Sequence, residues 1–140
     1  MNEQVTIRTV VRMIIPFIQI FGLYVLAHGE LGPGGGFQAG VIMASSIILY
    51  AIVFGREKAR KRVTEKITAI LSTTGVLIYA GIGMVCMIAG GAYLEYSKLP
   101  LGSEKLAVHL GIYGIEIGVG IAVAMGVVTI YFETVSGKDD

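Results

Sequence analysis

Glu116 is the residue of this chain best placed to do chemistry. It stands between Ile115 and Ile117 and is the only charged residue between Lys105 and Glu133. A carboxylate at the centre of a membrane helix costs roughly 2.5–3.5 kcal/mol to insert, so it should face protein or water rather than lipid. Placed there, it can hold a proton near neutral pH. The functional reading is proton or cation relay; the plainer one is a protonated, hydrogen-bonded packing residue. His109 lies seven residues earlier, about 10.5 Å of helical rise and too far for direct contact, but on a similar face. Tyr113 falls between them, at the i+4 and i−3 spacings that make neighbours on a helix. His109, Tyr113 and Glu116 therefore form a polar stripe, with an imidazole, a side chain suited to proton transfer, at its head. An interfacial His and a Tyr reaching for head groups is the alternative. His28 closes an earlier apolar run and is followed by Glu30. It caps its helix, or bonds the glycines that follow, and could carry protons. A metal site there would need ligands from elsewhere. The sequence holds no metal-ligand cluster and no nucleophile–base pair, so it supports neither an autonomous enzyme nor a resident cofactor.

Next to His28 lies the densest local signal, the segment Gly29-Glu30-Leu31-Gly32-Pro33-Gly34-Gly35-Gly36-Phe37-Gln38-Ala39-Gly40. Three glycines after a proline are expected to break a helix. Irregular backbone at the edge of a bilayer survives only where protein buries it or it lines a polar cavity. The segment is neither a phosphate loop, since no Gly-Lys-Ser/Thr follows, nor a dinucleotide fingerprint, which needs a preceding strand.

The elements that position these residues follow from composition. Of 140 residues, 54% are hydrophobic and only 15% charged, and the mean hydropathy is +0.76. A soluble domain would carry about 25% charged residues. The apolar residues fall into four long runs, so the expected fold is an all-α integral membrane domain spanning residues 1–140. Its four transmembrane helices run over about 10–27, 37–54, 67–89 and 106–132, with the glycine-rich loop on the outer side between the first two. Pro16 is tolerable near the start of the first span or as a kink. The lone Cys86 lies in an apolar run and reads as a small buried hydrophobe. Gln19 and Gln38 call for interhelical hydrogen bonds.

The charges suggest an orientation. Four spans put both termini and the 55–66 loop on one face, which holds Arg8, Arg12, Arg56, Lys58, Arg60, Lys61, Arg62, Lys66 and Lys138; the other holds Lys98 and Lys105. Basic residues stay in the cytoplasm, so the termini and that loop should be cytoplasmic, in a cell membrane. The basic loop could also bind anionic lipid or a partner subunit. A net charge of +1 gives no sign of nucleic-acid binding. The 90–105 segment, with Tyr93 and Tyr96, has the look of an interfacial loop. On the fourth span Gly114, Gly118, Ala122 and Gly126 recur every fourth residue, a spacing that lets membrane helices approach closely. Gly75 and Gly83 of the third span could receive that face, as could another subunit. One small face and one polar face suggest a helix wedged between protein surfaces.

His28-Gly29 followed by Pro33-Gly34-Gly35-Gly36-Phe37-Gln38-Ala39-Gly40 resembles the signature loop of the MnhB-related family, a component of Mrp-type Na+/H+ antiporters. The likeness extends to the four-span layout and the glycine-rich fourth helix. It implies a small accessory subunit of a complex that exchanges cytoplasmic monovalent cation for external protons, with Na+ and H+ as the transported ions. The implied partners are the other subunits of that complex, including large antiporter subunits related to those of respiratory complex I, which carry the principal proton paths. Similar modules occur in membrane-bound hydrogenases and ferredoxin-driven reductases, so hydrogenase or reductase subunits are also possible partners. The resemblance transfers the motif positions Pro33 to Phe37 and no ion ligand. A pure scaffold and a free-standing small channel are the alternatives.

Overall fold

The computed structural model describes residues 2–136, and all of its regular structure is helical. Lys138 lies outside the described residues. Helices α1 (Asn2–His28), α2 (Gly36–Phe54), α3 (Arg56–Arg62), α4 (Glu65–Ile88) and α5 (Glu104–Ser136) are joined by short links and one 3-10 turn, Tyr96–Lys98. Four of them, all but α3, are long and apolar enough to cross a membrane. The chain is a multi-pass membrane protein.

Each helix boundary has a local cause. The first helix starts eight residues before the expected Val10, with Glu3 in its first turn, where an acidic side chain favours a helix N-terminus. Pro16 is consequently a mid-helix residue that removes one backbone bond. Gly35 (φ 114°) caps the start of α2 and Gly55 (φ 98°) its end, both in backbone conformations that side chains resist. Gly36, expected in the irregular segment, is the first residue of α2; a glycine next to a cap is helical once the turn has been made. The basic stretch read as a loop is in part the helix α3, with Glu57 in its first turn and Arg60, Lys61 and Arg62 in its last. That arrangement suits the helix dipole at both ends. The Thr64 side chain caps α4 by accepting from the Ile67 amide at 3.3 Å.

The long helices pack in the order α1, α2, α5, α4, with α5 between α2 and α4. Glycines set both of its interfaces. Toward α4, a Cβ at Gly75 would lie 2.7 Å from the Ala122 amide nitrogen, and one at Gly118 would lie 2.9 Å from the Gly75 carbonyl. Gly114 receives Ile82. The expected stripe is thus used at Gly114, Gly118 and Ala122, but Gly126 meets nothing within 4 Å of where its Cβ would be. Gly83 does not receive α5 either: the Tyr93 ring covers it. Toward α2 a second small face operates, with Gly40 against the Gly120 carbonyl and Gly36 against the backbone of Glu116.

The aromatics of the 90–105 segment turn inward onto helices. Tyr93 sits edge-on to Tyr79 at 6.3 Å, and Tyr96 packs on Gly111. Burial, and next the neighbouring Tyr79, Cys86 and Tyr93, push the Tyr96 phenol above its ordinary pKa of 10.0. Cys86 is buried and free.

Candidate functional site

The site forms where the link between α1 and α2 folds against the first part of α5. His28 ends α1, and the chain then turns through Gly29–Gly34, with Leu31 and Gly32 amides bonded to the His28 carbonyl and the Gly35 amide bonded to Val25. This compact turn needs its glycines. A Cβ on Gly34 would lie 2.7 Å from the Val25 carbonyl, and one on Gly29 would meet both the Glu116 carboxylate and the Gly35 backbone. On Gly36 it would overlap the Glu116 carbonyl. The glycines hold the hinge directly on the backbone and carboxylate of Glu116.

Glu116 is twelve residues into α5, yet it is level with the end of α1 and the start of α2. Ile82 of α4 meets Gly114, and α4 continues to Ile88, about 9 Å further at 1.5 Å per residue. The hinge therefore lies alongside the interior of the α4–α5 pair. Glu116 is half-buried, and its Oε2 is buried without a hydrogen-bond partner. Its Oε1 faces Gly29 and Gly35.

Above it, the hinge carboxylate Glu30 meets His109 of α5. His109 Nδ1 lies 2.8 Å from Oε1 and 2.7 Å from Oε2 of Glu30. The His109 ring packs edge-on against Tyr113 at 4.9 Å, and the Tyr113 hydroxyl donates to the Ala27 carbonyl at 3.2 Å. An open hollow lined by Glu30, Glu104, Lys105, Val108 and His109 leads to this group from the α5 N-terminal side.

The structure thus brings Glu116, His109 and Tyr113 to one surface, the one facing the hinge. It leaves His28 off that line, stacked on Tyr24 at 5.4 Å with its Nε2 toward Gly32. Of the motif positions, Gly34, Gly35 and Gly36 form the cradle, whereas Pro33 and Phe37 are exposed. Gln19 bonds Ser46 across α1 and α2 at 3.3 Å, while Gln38 is exposed. Sequence reasoning missed Glu30 as a member of the polar line. A signal existed: Glu30 is the only charged residue between Arg12 and Arg56, if His is counted neutral. Among the described residues no group of three or more His, Cys, Asp or Glu is placed to hold a metal ion.

The site is thus a half-buried carboxyl group on a membrane-spanning helix, overlain by a glycine hinge and a Glu–His pair. Comparison with known proteins gives the family. Residues 6–129 match the model of the domain related to the MnhB subunit of Na+/H+ antiporter, and the chain belongs to that family. It is 28% identical to the B-type subunit of the Na(+)/H(+) antiporter of Alkalihalophilus pseudofirmus, over 89% of this chain and 92% of that protein. It is also 28% identical to the B-type subunit of the Na(+)/H(+) antiporter of Bacillus subtilis, over 88% and 94%. A putative antiporter subunit mnhB2 of Staphylococcus haemolyticus matches at 28% identity over 98% of both chains.

Proposed function

We propose that this chain is an accessory subunit of a multisubunit monovalent cation (Na+)/H+ antiporter and that Glu116, Glu30 and His109 form part of a proton or cation path at a subunit interface. The observation that carries the path is that Glu30 of the hinge pairs with His109 while the neighbouring hinge glycines, Gly29 and Gly35, abut the Glu116 carboxylate. His109 and Glu30 exchange protons with the open hollow, and Glu116 receives them at the level of the hinge. Its Oε2 is the atom that holds the proton. Tyr113 positions the His109 ring through its contact and its anchor on Ala27. The partners are the other subunits of the antiporter, and H+ and Na+ are the transported ions. Both termini and α3 face the cytoplasm, as their arginines and lysines favour. The same module can serve in a redox-driven pump; co-purification of hydrogenase or reductase subunits through a tag on this chain decides that point.

The test is Glu116→Gln in the complete complex, reconstituted in vesicles. Assembly is expected to persist while cation-driven proton movement falls on the order of 10²-fold, the scale of losing one proton-transfer group. Unchanged transport in an assembled complex would return Glu116 to a packing role.

A further inference from the structure

On the layer of helices runs a hollow in two parts that share Ile47 in their lining and that Glu30, His109 and Glu116 do not line. Its first part has a volume of about 200 Å³ and an apolar lining that includes Leu23, Met43, Leu71 and Ile121. Gly22, Gly40 and Gly120 also line it. Across Ile47 it continues toward the basic end as a smaller cavity of about 140 Å³, lined among others by Gln19, Ser46, Tyr50 and Arg62. The α1 residues on the hollow, from Ile15 to Leu26, recur at three- and four-residue steps and so share one face. They cover about 16 Å of rise, half of the ~30 Å hydrocarbon core.

The chemistry is graded along this length, from apolar to cationic. The Arg62 guanidinium stacks on Tyr50 at 4.9 Å and has no carboxylate partner among the described residues, whereas Arg60 pairs with Glu133 at 3.5 Å. We infer that the hollow seats an acyl chain of an anionic phospholipid from the leaflet on the basic side, with the lipid phosphate on Arg62. A planar guanidinium matches a phosphate in two parallel hydrogen bonds. A lipid entering from the basic side would place its head group at Arg62 and its tail along the apolar part of the lining. Lys58 and Lys61, on the same short helix, add to the positive field.

The test is lipid retention by the complex purified through a tag on this chain, from vesicles of phosphatidylglycerol and phosphatidylethanolamine, read by native mass spectrometry. Arg62→Gln is expected to lower retained phosphatidylglycerol about fivefold, the weight of one basic residue near a membrane surface, and to lower phosphatidylethanolamine, whose head group carries no net charge, by less. Arg62→Lys should restore part of the loss. Ile47→Trp, which fills the junction of the two cavities, should lower retention without a change in charge. If Ile47→Trp does not assemble, the Arg62 pair still decides, because that side chain is exposed. Equal phosphatidylglycerol in wild type and Arg62→Gln would overturn the inference. So would a photo-crosslinker at Leu71 that captures another subunit's helix instead of lipid.

Discussion

At the hinge end α5 is met by backbone; at the basic end it is met by side chains. Near Glu116 the contacts are glycine on main chain, with Gly36 against Glu116 and Gly40 against Gly120. Near Ser136 a cluster of Ala44, Ala51, Ala59, Val128 and Phe132 is sealed by Arg60, whose guanidinium lies 4.3 Å over the Phe132 ring, and by Arg56 bonded to Ser136. A side-chain contact can repack after a small change, because rotamers yield. A backbone contact cannot. The side-chain cluster anchors the helix and the backbone contacts fix the position of a carboxylate, so the two ends should fail in different ways.

Four substitutions sharpen or break that contrast. Phe132→Ala empties the buried anchor and should cost on the order of 3 kcal/mol, read as earlier unfolding in a thermal or SDS titration. Transport per assembled complex should nevertheless stay near wild type; a specific loss of transport would break the contrast. Gly36→Ala should cost about 1–3 kcal/mol through overpacking and abolish transport even where the complex assembles, since the added methyl displaces the Glu116 backbone. Gly126→Ala, with no neighbour to strike, should stabilise the helix by about 0.5–1 kcal/mol, and a destabilised variant would reveal a partner at that face. Tyr96→Phe has the smallest effect and shows only in alkali. The folded phenol titrates above its ordinary value, so the wild type is at full stability below pH 10 and loses some as pH rises through the folded pKa. The variant should lack that loss, measured as the difference in unfolding between pH 9 and pH 11.

The membrane spans were legible in the sequence because hydropathy and length are local quantities, and the four long helices match the four expected runs to within a few residues at most ends. The start of α1 was not legible, since Asn2 to Thr9 is mostly polar and its helix is a continuation rather than an apolar run. Glu116 and the His109–Tyr113 neighbours could be placed because they share one helix and the 3.6-residue period relates them. Glu30 could not be joined to His109, 79 residues away, because no spacing rule reaches across a fold. For the same reason the stripe at Gly114, Gly118 and Ala122 was visible, whereas its end at Gly126 and the second face at Gly120 depend on which neighbour each side turns to. The inward turn of Tyr93 and Tyr96 onto Gly83 and Gly111 was hidden too. An aromatic and a glycine become partners only once the chain has folded back.

The seating of α2 on Glu116 has an electrical side. A helix carries about half a positive charge at its first turn, spread over amides that no earlier carbonyl satisfies. The first turn of α2 begins at Gly36, capped by Gly35 with no side-chain hydrogen bond; Gly35 lies beside Oε1 of Glu116 and Gly36 against its backbone carbonyl. The Coulomb interaction between that turn and the carboxylate varies inversely with their separation and is strongest where water is excluded. A tilt or slide of α2 against α5 by a fraction of an ångström therefore changes the potential at Glu116 directly. Backbone contact alone thus sets how strongly one helix terminus acts on a single carboxyl group.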